Sequence, residues 1–362
     1  MFPYPCYGGN GIRGYVNSYN RRGHFPLIGR QGALCGNINE VSGDFYATEH
    51  CVVVNTFAGV DVNWVIFLLK AMNLNQYATA TAQPGLSVAT INEVQFCLPP
   101  YKEQKRIATT LNMYSKLIDC IDEESVSLSN AINITKSKIL DLAISGKLVS
   151  QDPADEPAIE LLKRINPGFK PCDNSHYGDL PIGWSICTLY DICDTINGLW
   201  KGKNPPFVNV GVIRNANFTK DFNLDYSKIE YIDVEQRAFE KRNLEYGDLI
   251  VEKSGGSDNF PVGRSILYQG ESSKYSFSNF TMALRIKDKN LICSKYLYFV
   301  ILHKYLSGEM TQMQTQTTGL HNLLSDKYMS MPIPMPPTKE QDRIVDCIEK
   351  LLGQANQIKT VL

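Results

Sequence analysis

Three sets of residues have the types and spacing of recognisable chemistry. In "YGGNGIRGY", Gly9, Gly11 and Gly14 stand as G-x-G-x-x-G, the spacing of a turn that cradles a dinucleotide pyrophosphate. That turn needs a buried strand before it and a helix after it, so that the free N–H groups of the helix point at the phosphates. Upstream there is only "MFPYPC", and downstream "VNSYNRRGHFPLIG" lacks a helical period and contains Gly23 and Pro26. "NPPF" at Asn204 to Phe207 has the composition that grips an adenine amino group and stacks on a flipped base. It would need a Gly-rich strand-to-helix turn for the methyl donor, and "GLWKG" before it is too short. Asp248 with Glu252 and Lys253 lacks the spaced Glu-x-Lys pair of a metal-dependent nuclease, so Glu252 and Lys253 are expected in a strand-end loop. The ten cysteines contain no C-x-x-C and the five histidines no H-x-x-x-H, which argues against a metal site.

Catalysis set aside, the charge pattern points to binding. Net charge is −1, but charge is unevenly placed. From Met1 to Asn39 there are Arg13, Arg21, Arg22 and Arg30 and no acidic residue; Glu40 is the first. From Thr195 to Lys220 there are Lys201, Lys203, Arg214 and Lys220, again without Asp or Glu. Such windows hold phosphates even in a neutral chain, because counterion release depends on charges at the contact. "WVIFLLKAM" is the longest apolar stretch, too short to span a bilayer, and no export signal opens the sequence. A cytoplasmic protein with reduced, mostly buried thiols is expected, without a membrane partner.

The elements that carry these windows occur twice. "LPPYKEQKRI" at 98 to 107 returns as "MPPTKEQDRI" at 335 to 344, with seven of ten positions identical at an offset of 237. Upstream, "TAQPGL" (81 to 86) matches "TQTTGL" (315 to 320), "NWVIFLL" matches "KYLYFVI", "LIGRQGALCGNI" matches "LIVEKSGGSDNF", and "ATEHCVVV" matches "SNFTMALRI". Each copy reads as a strand- and loop-rich segment, an apolar helix, a Gly-Leu turn, a strand, and a Pro-Pro boundary before a helix.

Both helices carry a four-three apolar seam. After Pro100 it runs through Ile107, Leu111, Tyr114, Ile118, Ile121, Leu128, Ile132, Ile139 and Leu142, broken by Ser125 and Thr135. After Pro337 it runs through Ile344, Ile348, Leu351, Ala355, Ile358 and Leu362, in the same phase once 237 is subtracted. A sustained narrow stripe seeks another helix, and these two can satisfy each other. From Lys102 to Val149 the first helix would extend about 70 Å, with Gly146 at its break. "QDPADEPAIELLKRI" predicts a short helix capped by Asp155, with Pro157 in its first turn, and 166 to 178 reads as linker.

"LPPYKEQKRI", "ILDLAISGKLVSQDPADEPAIELLKRI", "LPIGWSICTLYDICDTINGLWKG" and "MPPTKEQDRIVDCIEKL" resemble, in order and over nearly the whole chain, the DNA-specificity (S) subunit of Type I restriction-modification systems. The resemblance implies an α+β fold. Two mixed target-recognition domains, 1–98 and 180–335, would be joined by antiparallel coiled-coil helices within 99–165 and 336–362, with a linker at 166–179. It implies a non-catalytic reader of a split double-stranded DNA target, with helix length setting the gap. Modification subunits would methylate adenine with S-adenosylmethionine, and restriction subunits would use ATP and Mg; the chain itself would take no cofactor. The second copy opens with residues 180 to 206, which have no counterpart in the first, so the first domain is expected to be incomplete at its N-terminus. The alternative is a rearranging or defective fragment that serves as a recombination donor or requires a complementary S fragment as partner.

Candidate DNA contacts are Arg13, Arg30, Gln31 and Asn37 in the first copy and Lys201, Lys203, Arg214, Asn215, Lys253 and Asn279 in the second. Arg and Lys suit guanine edges or phosphates, and Asn and Gln suit adenine. "YGGNGIRGY" aligns roughly with "NVGVIRNANF" (209 to 218), which makes its glycines a loop between strands and lets Arg13 reach a phosphate or a guanine edge. A coiled-coil scaffold alone would leave the two basic windows unexplained.

Overall fold

The computed structural model describes residues 3–79, 84–171, 180–257, 260–317 and 320–361. It divides into unit 1, Met1–Val126, and unit 2, Ser127–Leu362. In unit 1, β1 (Tyr4–Gly8), β2 (Gly11–Val16), β3 (Arg21–Gly29), β4 (Ile38–Ala47) and β5 (Cys51–Val53) form one sheet in the order β2-β1-β4-β3-β5. Then come α1 (Val62–Ala71), α2 (Val88–Glu93) and α3 (Tyr101–Ile144). Gly9, Gly11 and Gly14 therefore belong to a β-hairpin closed by Gly8 opposite Gly11. No helix follows that turn.

Unit 2 contains the rest of the chain: α4 (Ala158–Ile165), β6 (Ser185–Thr188), α5 (Leu189–Ile192), β7 (Cys193–Asn197), β8 (Phe207–Ile213), β9 (Glu230–Glu235), α6 (Gln236–Glu240), β10 (Leu249–Glu252), β11 (Ser254–Gly256), β12 (Ser265–Leu267), β13 (Tyr275–Phe277), β14 (Thr281–Ile286), α7 (Ser294–Leu306), β15 (Gln314–Thr317), β16 (Leu320–Leu323), α8 (Ser325–Met329), β17 (Pro332–Met335) and α9 (Thr338–Val361). Its larger sheets run β12-β10-β14-β7 and β13-β8-β9. The segment leading to Asn204–Phe207 joins strands β7 and β8, so it contains no strand-to-helix turn for a methyl donor.

The two units repeat a hydrogen-bond ladder. β3 lies between β4 and β5 as β10 lies between β12 and β14, with Gly29 opposite Cys51 and Glu252 opposite Thr281. Cys51 and Thr281 close matching turns, their N–H groups donating to Thr48 and Ser278 carbonyls. This register corrects the sequence match by one residue: Arg30 corresponds to Lys253 and Gln31 to Ser254. The Leu86 N–H donates to the Arg30 carbonyl and the Leu323 N–H to the Lys253 carbonyl, each at 2.8 Å. Leu86 therefore corresponds to Leu323 at the same offset of 237 as the Pro-Pro motifs, rather than to Leu320; residues 81–83 and 318–319 of the Gly-Leu match lie outside the described residues. Long β4 in unit 1 takes the places of both β12 and β13. Among the described residues, β5 lacks on its far side the strand that β7 supplies to β14.

The repeated Lys-Glu-Gln motif has a shared physical basis. Gln104 and Gln341 are fully buried at the starts of α3 and α9. The Gln104 Oε1 accepts the Asp61 N–H at the start of α1 (2.8 Å), and its Nε2 donates to the Pro99 carbonyl (2.8 Å). The Gln341 Oε1 accepts the Cys293 N–H at the start of α7 (2.7 Å), and its Nε2 donates to the Pro336 carbonyl (3.1 Å). Each glutamine thus satisfies a helix-start donor that has no partner inside its own helix.

The helix α3 has 44 residues, about 66 Å at 1.5 Å per residue. Gly146, at φ +69°, takes the left-handed conformation that closes it. The seam is only partly satisfied. Ile132 and Ile139 are buried, Leu142 is half-buried, and Ile139, Leu140, Ala143 and Ile144 join Ile344, Val345 and Ile348 in the core of unit 2. The two helices run antiparallel there: Lys136 Nζ donates to Asn356 Oδ1 at 2.6 Å, and Arg343 reaches Asp155 beyond the end of α3. Leu351 is half-buried and Ile358 exposed, and Leu362 lies outside the described residues, as does 172–179 of the expected linker. Ile107 is half-buried, but Leu111, Ile118, Ile121 and Leu128 are exposed, because the shorter α9 covers only the C-terminal part of α3. Asp155, expected as a cap, is held by Arg343 instead, and Pro157 occupies the N-cap position of α4.

Replacing Gln341 by Leu leaves the Cys293 N–H and the Pro336 carbonyl without partners, a cost of about 2 kcal/mol. Hydrogen exchange should show lost protection at the start of α7 with α1 unchanged; Gln104→Leu should do the reverse. Equal loss in both helices would contradict the separate role of each glutamine.

Candidate nucleic-acid interface

At one end of unit 1 four loops converge: the β1–β2 turn, the segment after β3, the turn before β5, and Pro84–Gly85 before α2. Glycines permit the approach. A side chain on Gly29 would lie 1.9 Å from the Gly9 carbonyl oxygen, and one on Gly9 would press on the carbonyls of His50 and Gln31. The result is a cleft of about 510 Å³ lined by Gly9, Asn10, Arg13, Gln31, Gly32, His50, Pro84 and Gly85.

Arg13 reaches this cleft through a register shift. Cys6 pairs with Gly14 and Tyr7 with Ile12, so Arg13 is the extra residue of a β-bulge, a device that redirects a side chain. Its stem crosses Gly8, where an added Cβ would sit 2.3 Å from the Arg13 Cδ. Across the cleft His50 Nδ1 lies 2.7 Å from Gln31 Oε1, and His50 Nε2 lies 3.4 Å from Glu49 Oε1. With Nδ1–H donating to Oε1, the Gln31 amide turns its NH₂ outward as a donor.

Unit 2 has the same backbone confluence but different side chains. Asn215, following β8, donates from Nδ2 to Glu252 Oε1 (3.0 Å) and to the Ser254 carbonyl (2.7 Å). Arg264 Nε donates to Glu252 Oε2 (3.2 Å), and Ser254 Oγ is 2.6 Å from Asn322 Oδ1. Burial pushes the Glu252 carboxyl above its ordinary value, and the Arg264 guanidinium pulls against that shift. Phe280 occupies the position of His50 and is exposed, as are Trp200 and Phe260.

The structure places the expected contact residues in two groups. Arg13 and Gln31 share the unit 1 cleft. Arg30 instead spends its guanidinium on the Glu49 and Leu86 carbonyls, and Asn37 lies exposed just before β4. In unit 2, Lys201 and Lys203 are exposed in the β7–β8 loop. Lys253 donates to Asn197 Oδ1 (3.2 Å), and Asn279 is half-buried beside Phe280. Arg214 is engaged by Glu230 through its two terminal guanidinium nitrogens at 2.6 Å, and Asn215 serves as an internal strut. Sequence reasoning missed Asn10 and His50. Pairing "ATEHCVVV" with "SNFTMALRI" placed His50 in a repeated β-branched run, without marking it as a turn.

Comparison with known proteins places this geometry. The sequence profile described as Type I restriction modification DNA specificity domain matches twice, over residues 4–130 and 181–361. The EcoprrI specificity subunit of Escherichia coli is 50% identical over 133 residues, covering 36% of this chain and 33% of that protein. A putative type I restriction enzyme specificity subunit of Haemophilus influenzae is 25% identical over 365 residues, covering 98% of this chain and 81% of its own length. The EcoEI specificity subunit of Escherichia coli is 27% identical over 339 residues, and the match spans 54% of that relative. Two solved structures share the fold at 18% identity, and each match covers 95% of this chain. The HsdS subunit from Thermoanaerobacter tengcongensis has a TM-score of 0.52 with 76% of its chain covered. A chain from a study of assembly of the type I R-M system has a TM-score of 0.59 with 77% covered.

The buried Glu252 carboxyl sets a pH dependence. Its raised value means that the folded state takes up its proton before the unfolded chain does, so stability grows as pH falls from neutral toward 4.5. Relative to Glu252→Gln, the wild-type urea midpoint for unit 2 should rise between neutral pH and about pH 5. A difference independent of pH would contradict this.

Proposed function

The chain belongs to the family of Type I restriction modification DNA specificity domains, and from that premise we propose that it is the DNA-reading subunit of a restriction-modification complex. Unit 1 and unit 2 each read one half of a bipartite double-stranded target. Partner subunits carry out adenine methylation with S-adenosylmethionine, and ATP-dependent cleavage with Mg. The observation that supports this reading most directly is the double family match. It falls on two units that repeat one ladder and bring matching loops together with different side chains, as two readers of unlike half-sites require.

The exposed seam of α3 fits the same scheme. Leu111, Tyr114, Ile118, Ile121 and Leu128 form an apolar stripe on a helix, larger than scattered surface residues explain. We assign it to partner subunits, with modification subunits first. A complementary S fragment is the second reading, favoured by β5, which among the described residues has no strand on its far side, an edge suited to another chain.

Methylome sequencing of a host expressing the chain with a modification subunit, against its deletion, should reveal a bipartite adenine-methylated motif lost on deletion. Unchanged methylation would overturn the proposal. Adding four residues, about one helical turn, within the exposed 109–124 stretch should alter the gap between half-sites and leave both half-site sequences intact. A changed half-site with an unchanged gap would refute the spacer role.

A further inference from the structure

The two loop confluences differ in one respect that the repeat makes legible: the unit 1 cleft is open, and the corresponding space in unit 2 is filled. By register, Gly9 stands where unit 2 has Asn215 and Gly29 where it has Glu252, following the parallel pairings of β1 with β4 and β8 with β13. In unit 2 the Asn215 side chain occupies the confluence, bound to Glu252 and to the Ser254 carbonyl. In unit 1 neither side chain exists, and the vacated volume is bordered by the His50 and Gln31 carbonyls and by side-chain donors. Arg13 is aimed there by its bulge; among the described residues no acceptor engages its guanidinium. With His50 Nδ1–H donating to its Oε1, the Gln31 amide keeps its NH₂ as a donor, and Asn10 also lines the cleft. Glu49, largely exposed, touches the far nitrogen of His50, and the Arg30 guanidinium is withdrawn to backbone carbonyls.

We propose that this cleft clasps one phosphate of the DNA backbone, Arg13 and Gln31 donating to its oxygens and His50 acting as the positioning residue that fixes the Gln31 amide. This rests on the DNA-reading function proposed above and adds a division of labour: in unit 1 the confluence anchors the duplex, and in unit 2 the same place presents side chains. A phosphate is favoured over a base edge because the site is concave. Phosphates project from a duplex into a concave donor site, whereas base edges lie recessed in a groove and are read by projecting side chains. Lining groups that donate toward the cleft suit an oxyanion.

The test uses the full chain, purified with its modification subunits, and a duplex carrying the sequence it selects from a random library. Methylphosphonates, which are uncharged, replace phosphates one at a time. Wild type should lose affinity at one position in the unit 1 half-site, and Arg13→Ala should be insensitive there. Arg13→Ala should bind about tenfold more weakly on all sequences, with the log–log salt slope reduced by about 1 and the selected sequence unchanged. Arg13→Lys should keep the slope, which separates lost charge from a misfolded hairpin. His50→Ala should weaken binding less, and Gln31→Glu should weaken it more. Arg22→Ala should change nothing, because Asp44 already holds that guanidinium at 2.6 and 2.8 Å. A base change in the sequence selected by Arg13→Ala would overturn the phosphate assignment in favour of base readout. Unaltered affinity and slope would overturn any contact. Failure of the wild-type complex to select a sequence would instead overturn the DNA-reading function, and this assignment with it.

Discussion

Each half of this protein hangs on one buried glutamine. Gln104 and Gln341 sit where a Pro-Pro pair turns the chain into a long helix, and each accepts the backbone N–H at the start of the apolar helix of its own unit. A buried helix start carries donors that no residue of that helix can satisfy, so the partner must come from elsewhere. The side-chain amide supplies an acceptor for that donor and a donor for the carbonyl of the preceding Pro-Pro turn. One residue thereby ties the start of the apolar helix to the Pro-Pro turn that begins the long helix, and the arrangement occurs twice because the chain is one unit used twice.

On that shared frame the loops diverge without disturbing the ladder. Arg30 and Lys253 hold the same backbone position and bond the same neighbour, Leu86 or Leu323, yet their side chains go to different partners. Gly9 and Gly29 allow two loops to meet backbone to backbone, where Asn215, Glu252 and Arg264 build a buried polar strut for the same junction. The two junctions differ in what they present outward, while the shared ladder and core stay intact.

The long helix combines two environments. Its C-terminal turns are core residues of unit 2, packed with Ile344 and Ile348, and its middle turns carry the same kind of apolar residue into solvent. Burial ends where the shorter partner helix ends. Past that point the four-three stripe is an exposed apolar surface that nothing in this chain covers among the described residues.

The sequence by itself determined the duplication, the helices after each Pro-Pro pair, the seam, the glycine break at 146 and the acid-free basic windows, because each is a matter of local spacing or composition. It also exposed the weakness of the G-x-G-x-x-G spacing, since the flanks alone excluded a strand-to-helix turn. Tertiary structure decided the rest. A one-residue register shift that equates Arg30 with Lys253 depends on which strands pair, and ladders join residues far apart in the chain. Whether a seam is covered depends on where its partner lies, so Ile118 and Ile139 look alike in sequence and differ completely in exposure. Arg214 and Arg13 are equally basic on paper. Glu230, brought alongside by β9, engages the first, and a bulge aims the second into an open cleft beside His50, a residue that no local pattern singled out.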